Sequence, residues 1–192
     1  MTTPLTRTNA LDRYLRIADR FGEVVAGVRD WDAPTPVKEW RARDVVDHLA
    51  TWFPAMLGAG TSIRLAPGRR VRRNPVGAWE DLDREVRVLL TDRDLAATTH
   101  TDPNTGSKPV EQVVDQYFTT DVFMHTWDLA RSSGQDGRMD PDFLAALDAG
   151  MRRSAATIRA SGHYGQEQPV PEDADLQDRF IAFIGRDPRW TA

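Results

Sequence analysis

Asp121 and His125 stand four residues apart in the run Asp121-Val-Phe-Met-His125-Thr-Trp-Asp128-Leu-Ala. On a helix that spacing stacks two side chains on one face, so a carboxylate and an imidazole reach toward one point. A second histidine lies in Asp44-Val-Val-Asp-His48-Leu-Ala, three residues after Val45 and four before Trp52. That position is the apolar side of its own helix. Two inward imidazoles and one inward carboxylate are a metal-ligand set, and three protein ligands leave coordination positions open, as in catalytic rather than structural zinc sites. The plainer reading is a histidine satisfied by a neighbouring carboxylate inside a core. His48 favours metal, because bundle cores build metal sites from facing helices.

The residues around this set divide by chemistry. Asp128, three residues after His125, is near the same face and suits an acceptor that fixes an imidazole; an interhelix or helix-end hydrogen bond is the alternative. Trp52 and Trp127 are expected to shape the pocket. Asp44 also precedes a histidine by four, but it falls in the first turn of its helix, where free amides and the dipole favour a carboxylate. It reads as structural. His100 and His163 fall in polar stretches and read as solvated loop residues. Arg64, Arg69, Arg70, Arg72 and Arg73 concentrate positive charge. Guanidinium groups suit carboxylate or phosphate ligands, although such a run is more often a solvated loop.

Cysteine is absent, so the chain has no thiolate ligand and no sulfur nucleophile of its own. Thiol chemistry would need a thiol from outside. There is no phosphate-cradling glycine motif, no Gly-x-Ser-x-Gly and no His-Glu-x-x-His.

Helices have to position these residues. Apolar spacing predicts a first helix over about 7–28 and a second over about 43–64, separated by the proline-bearing stretch 30–40. A loop over 66–75 leads to a third helix at 76–91. A polar, turn-rich stretch at 98–109 precedes the helix at 109–132, which carries Val114, Asp121, Val122, His125 and Leu129 inward and ends at Gly134. Asp140-Pro141 opens a further helix to about residue 160. A short last helix at 174–184 stops at Gly185. No segment alternates over strand length, so the expected fold is all-α, a four-helix bundle with additional short helices. Without a linker or repeat, residues 1–192 read as one domain.

Composition narrows the function. The 192 residues carry a net charge of -4, which gives no global reason to bind nucleic acid. No apolar run approaches the ~20 residues of a membrane helix, and the N-terminus lacks the pattern of a secretory signal. A cytoplasmic protein with no membrane partner is expected. Bundles with exposed aromatic faces often pair, which leaves a homodimer open.

Three stretches then carry a family likeness: Trp31-Asp-Ala-Pro-Thr-Pro-Val-Lys-Glu-Trp40, Asp44-Val-Val-Asp-His48-Leu, and Asp121-Val-Phe-Met-His125-Thr-Trp-Asp128-Leu-Ala-Arg-Ser-Ser-Gly134. Together they resemble the mycothiol-dependent maleylpyruvate isomerase and DinB-like superfamily. The closing Ser161-Gly-His-Tyr-Gly, Asp173-Ala-Asp and Gly185-Arg-Asp-Pro188 resemble a single-domain actinobacterial branch of it. The resemblance implies a DinB-like bundle that holds a divalent metal, typically zinc or nickel, through three side chains falling on His48, Asp121 and His125. The isomerase has glutamate where this chain has Asp121, one methylene shorter, so the metal is expected to sit in a shifted position or to be bound through water. The isomerase also has a further C-terminal domain that contributes to its active site. The resemblance therefore implies a mycothiol-dependent transferase or isomerase acting on a different small electrophile. Its rival is a non-catalytic metal-binding module in stress response or sensing.

Overall fold

A computed structural model describes residues 3–162 and 164–192; His163 lies outside them. Four long helical segments form the bundle: α1 (Ala10–Gly27), α2 (Ala42–Gly60), α3 (Pro75–Thr91) and a helix built from α5 (Val110–Val113), a π-helical segment (Val114–Thr119) and α6 (Thr120–Ser132). α1 lies between α3 and α6, and α2 packs on the same two helices from the other side. A short α4 (Arg93–Ala97) and a hairpin of β1 (Thr99–Asp102) and β2 (Gly106–Pro109) link α3 to α5. α7 (Pro141–Arg153), α8 (Ala155–Ser161) and α9 (Leu176–Phe183) follow. The fold is all-α apart from this hairpin.

Local chemistry sets the ends. Asn9, Asn74, Asp140 and Asp175 accept hydrogen bonds from the N–H groups of Asp12, Gly77, Phe143 and Asp178 at 2.8 to 2.9 Å, so each supplies an acceptor to an orphan amide of the first turn. Asp44 reaches back to the Arg41 N–H at 2.7 Å and serves the start of α2. Inside the bundle Phe53 stacks on Phe118 with ring centroids 4.2 Å apart, and Tyr14, Phe21, Leu49, Leu57 and Leu129 are fully buried.

Three features depart from the sequence expectation. The stretch 98–109 is a hairpin, pairing His100 with Lys108 and Asp102 with Gly106. Asp102 accepts from the Asn104 and Thr105 N–H groups, each at 2.8 Å, and Gly106 takes φ +78°, which glycine adopts without strain. The turn therefore specifies the pairing, and strands this short and polar have no alternation to read.

His100 is not a solvated loop residue. It is 4% exposed, with Nε2 3.1 Å from the Met56 carbonyl oxygen, and it fits because Gly60 has no side chain to collide with its ring. The third departure is the predicted helix to residue 160, which breaks at Ser154 into α7 and α8.

Two arginines of the run are tethered, while Arg70, Arg72 and Arg73 are exposed. Arg69 donates to Asp81 from its backbone N–H at 2.8 Å and from its guanidinium at 2.9 Å twice, while Arg64 folds back onto the Thr61 and Ile63 carbonyls.

Candidate metal centre

The helix carrying Asp121 and His125 is not uniform. Its π-helical turn at Val114–Thr119 immediately precedes α6, and single π turns inside α-helices accommodate an extra residue and occur often at functional sites. From Thr120 onward regular α geometry returns, so Asp121 and His125 share a face as their spacing requires. α2 brings His48 to the same place.

There the three side chains converge. His48 Nε2 is 3.0 Å from Asp121 Oδ2, His125 Nε2 is 3.5 Å from Asp121 Oδ1, and one ligand atom from each residue lies within 4.8 Å of the others. An ion with bonds of about 2.0 to 2.1 Å in tetrahedral geometry needs donors about 3.3 Å from one another. The two imidazole–carboxylate separations bracket that value, and two nitrogens with one oxygen are a borderline-soft set of the kind zinc and nickel accept. The residues present fit such an ion.

Further contacts orient the set. Trp52, expected as a pocket residue, donates its indole N–H to Asp121 Oδ2 at 2.8 Å. Asp128 is fully buried and lies 2.9 Å, through Oδ2, from His125 Nδ1, which leaves Nε2 as the ring nitrogen turned toward Asp121. Trp127 does not join them: two residues after His125 it faces elsewhere, against Gly137 and the Arg131 guanidinium. It leaves the face because it is out of step with the i, i+4 ladder that Asp121 and His125 define.

Trp40, Tyr164 and Arg186 complete the surroundings. The Trp40 ring centroid is 5.0 Å from that of His48 and 5.6 Å from that of His125, nearly parallel to the latter. Its neighbour Glu39 takes φ +68°, an uncommon conformation for a residue with a side chain. The chain there is pinned by Thr35 N–H to the Trp40 carbonyl at 3.0 Å and by Ser132 Oγ to the Pro34 carbonyl at 2.8 Å. Arg186 donates to both oxygens of Asp128, at 3.3 and 3.2 Å. Trp40 was visible in sequence only as part of the family-like stretch, and Arg186 only as part of the closing one. Neither spacing nor periodicity singled them out.

The electrostatics follow from these partners. Burial pushes the Asp121 carboxyl up, but His125, His48 and the Trp52 N–H outweigh it and hold it below the ordinary value. Burial likewise opposes ionisation of Asp128, and Arg186 with His125 overcomes it. The Tyr164 phenol is pushed up to about 12 by burial and by the negative charge of Asp121, with Arg186 acting in the opposite sense. It is a neutral hydroxyl at any physiological pH.

A helical bundle with two histidines and a carboxylate gathered between facing helices defines a class of candidate metalloprotein. The profile of the mycothiol maleylpyruvate isomerase N-terminal domain matches residues 14–130, more than half of the chain and a span that contains His48, Asp121 and His125. The chain belongs to that family. Two curated relatives from Mycobacterium tuberculosis, from the CDC 1551 / Oshkosh and ATCC 25618 / H37Rv strains, are each 28% identical over 191 residues. The alignments cover 92% of this chain and 97% of each relative, and both relatives are described as uncharacterized proteins. No solved structure gives a significant match. Among the described residues no helix is long and apolar enough to cross a membrane.

Proposed function

We propose that this chain is a divalent-metal-binding protein that uses an external thiol, mycothiol, against a small electrophile, as a transferase or isomerase. The observation that carries the reading is the convergence of His48, Asp121 and His125 within 4.8 Å, in a family whose name refers to mycothiol. Zinc is the expected ion and nickel the alternative. Three side chains leave an open position, and a divalent ion held there lowers the pKa of a thiol that reaches it.

The protein's own residues do the rest. Asp121 supplies negative charge that holds the cation, and Trp52 fixes the orientation of its carboxylate. Asp128 presents His125 through Nε2. Trp40 lies against both imidazoles and Trp52 against His48, so the indoles wall the site on one side, with the His125 side chain 5% exposed and that of His48 31% exposed. We read residues 1–192 as one functional domain working in the cytoplasm on small molecules, without nucleic acid.

The test has two stages. Metal analysis of the purified protein should give one zinc or nickel per chain, reduced in His48→Ala; a metal-free unmutated protein that takes up neither ion on titration would sink the reading. The metal-loaded protein is then incubated with mycothiol and a panel of electrophiles. Conjugation or isomerisation faster than with Asp121→Ala supports an enzyme, whereas equal rates with intact metal binding point to the non-catalytic module.

A further inference from the structure

Arg186 stands well beyond the family match at residues 14–130, yet it is held against the centre of the bundle. α9 ends in a Schellman motif. Gly185 takes φ +88°, its N–H bonds the Ala182 carbonyl, and the Arg186 N–H bonds the Ile181 carbonyl, each at 3.0 Å. This is the pairing that reverses a chain after a helix. Gly165 packs directly on this corner: a Cβ at Gly185 would lie 2.5 Å from the Gly165 Cα, so the reversal is braced from outside by a residue that also lacks a side chain.

The reversal sends the Arg186 side chain inward, where it is 11% exposed and forks onto the fully buried Asp128. Its third donor nitrogen, Nη1, bonds the Ile184 carbonyl at 2.9 Å. Asp128 Oδ2 is shared between Arg186 and His125 Nδ1. A chain of charge-assisted hydrogen bonds thus runs from the last helix to a candidate metal ligand.

We propose that Arg186 is a positioning residue of the metal centre: acting through Asp128, it fixes the ring of His125 with Nε2 toward the ion and so sets the metal affinity. The α9 corner is then part of the site rather than a cover over it. A guanidinium suits the role because its planar fork matches a carboxylate at two points and cannot lose its proton. Asp128 is thereby held in one orientation. The inference rests on the metal-binding reading above.

The experiment compares the full chain with Arg186→Met, Arg186→Lys, Asp128→Asn and the Arg186→Met/Asp128→Asn double variant. Zinc affinity is read by competition with a chromophoric chelator, and the ligand field by the visible spectrum of the cobalt-substituted protein. Arg186→Met should weaken zinc binding by about 10- to 100-fold, the range seen when partners of metal-bound histidines are removed, and should shift the cobalt bands at saturation. Arg186→Lys, keeping charge but not the fork, should fall between it and the unmutated protein. In the Asp128→Asn background the Arg186→Met change should cost nothing further.

Unchanged affinity and an unchanged cobalt spectrum in folded Arg186→Met would overturn the proposal, as would an equal loss with Asp128 already altered. If Arg186→Met loses its helical circular dichroism, Arg186→Lys decides, and wild-type affinity there is the overturning result. No metal uptake by the unmutated protein is a different failure, that of the functional reading itself.

Discussion

Asp81 and Asp121 make an instructive pair. Both are carboxylates on bundle helices, with side chains 12% and 18% exposed, and both are held below the ordinary carboxylate pKa. Their partners differ in kind. Asp81 faces the Arg69 guanidinium, the Arg69 backbone N–H and Arg84, groups that only donate. Asp121 faces two imidazoles, whose nitrogens can also offer lone pairs. A cation brought to Asp81 meets fixed positive charge; at Asp121 it can replace the shared protons and take the nitrogens as ligands. Low pKa alone therefore does not mark a metal site, and the lone pairs opposite the carboxylate do.

The metal centre is most vulnerable from behind. Asp128→Ala leaves Arg186 buried without its counter-ion and His125 without an acceptor, and removing one partner of a buried pair costs about 3 to 5 kcal/mol. Urea denaturation of the metal-free protein should show a loss of that order, and a loss below about 1 kcal/mol would mean that the pair is open to water. Next in size is the effect of metal. Zinc at a hundredfold excess over its dissociation constant should stabilise the chain by about 2.7 kcal/mol, read as a rise in melting temperature. His48→Ala and Asp121→Ala should abolish the rise, and Asp81→Asn should keep it.

Acid should affect both regions with the same sign. Asp81, Asp121 and Asp128 all have folded pKa values below the unfolded value of about 3.9. Below that value the unfolded chain takes up protons that the folded chain still refuses. Their stabilisation is thus present at neutral pH and declines as pH falls through the unfolded value toward the folded ones. Denaturation midpoints of the metal-free protein between pH 7 and pH 3 should fall, and those of Asp81→Asn should fall less steeply. The smallest expected change is local: Asp81→Asn should speed hydrogen exchange in the 66–73 loop while zinc affinity stays within twofold, and a larger change in affinity would couple the two regions.

A contact is legible in the sequence where it is local. Asp121, His125 and Asp128 lie within one helix, so periodicity was enough to place them on one face, and the apolar stripe Val45, Leu49, Trp52 turned His48 inward. The all-α fold and the helix ends at Gly134 and Gly185 were equally legible, because caps and left-handed glycines act over a few residues. Trp127 failed the same test by being off the ladder. The π turn cannot be read from spacing, since its extra residue hides inside an apolar run. Arg186 reaches Asp128 across 58 residues, and nothing local marks a charged side chain after a helix end as one that will turn into the core.

The indole of Trp40 lies against both imidazoles, and that of Trp52 is hydrogen-bonded to the carboxylate between them. An ion bound by these three side chains changes the charge and the hydrogen bonding beside both indoles, so the centre carries its own optical readout. Occupancy can be followed by tryptophan fluorescence without a label, and the chain's other four tryptophans supply a background to subtract through the Trp40→Phe/Trp52→Phe double variant.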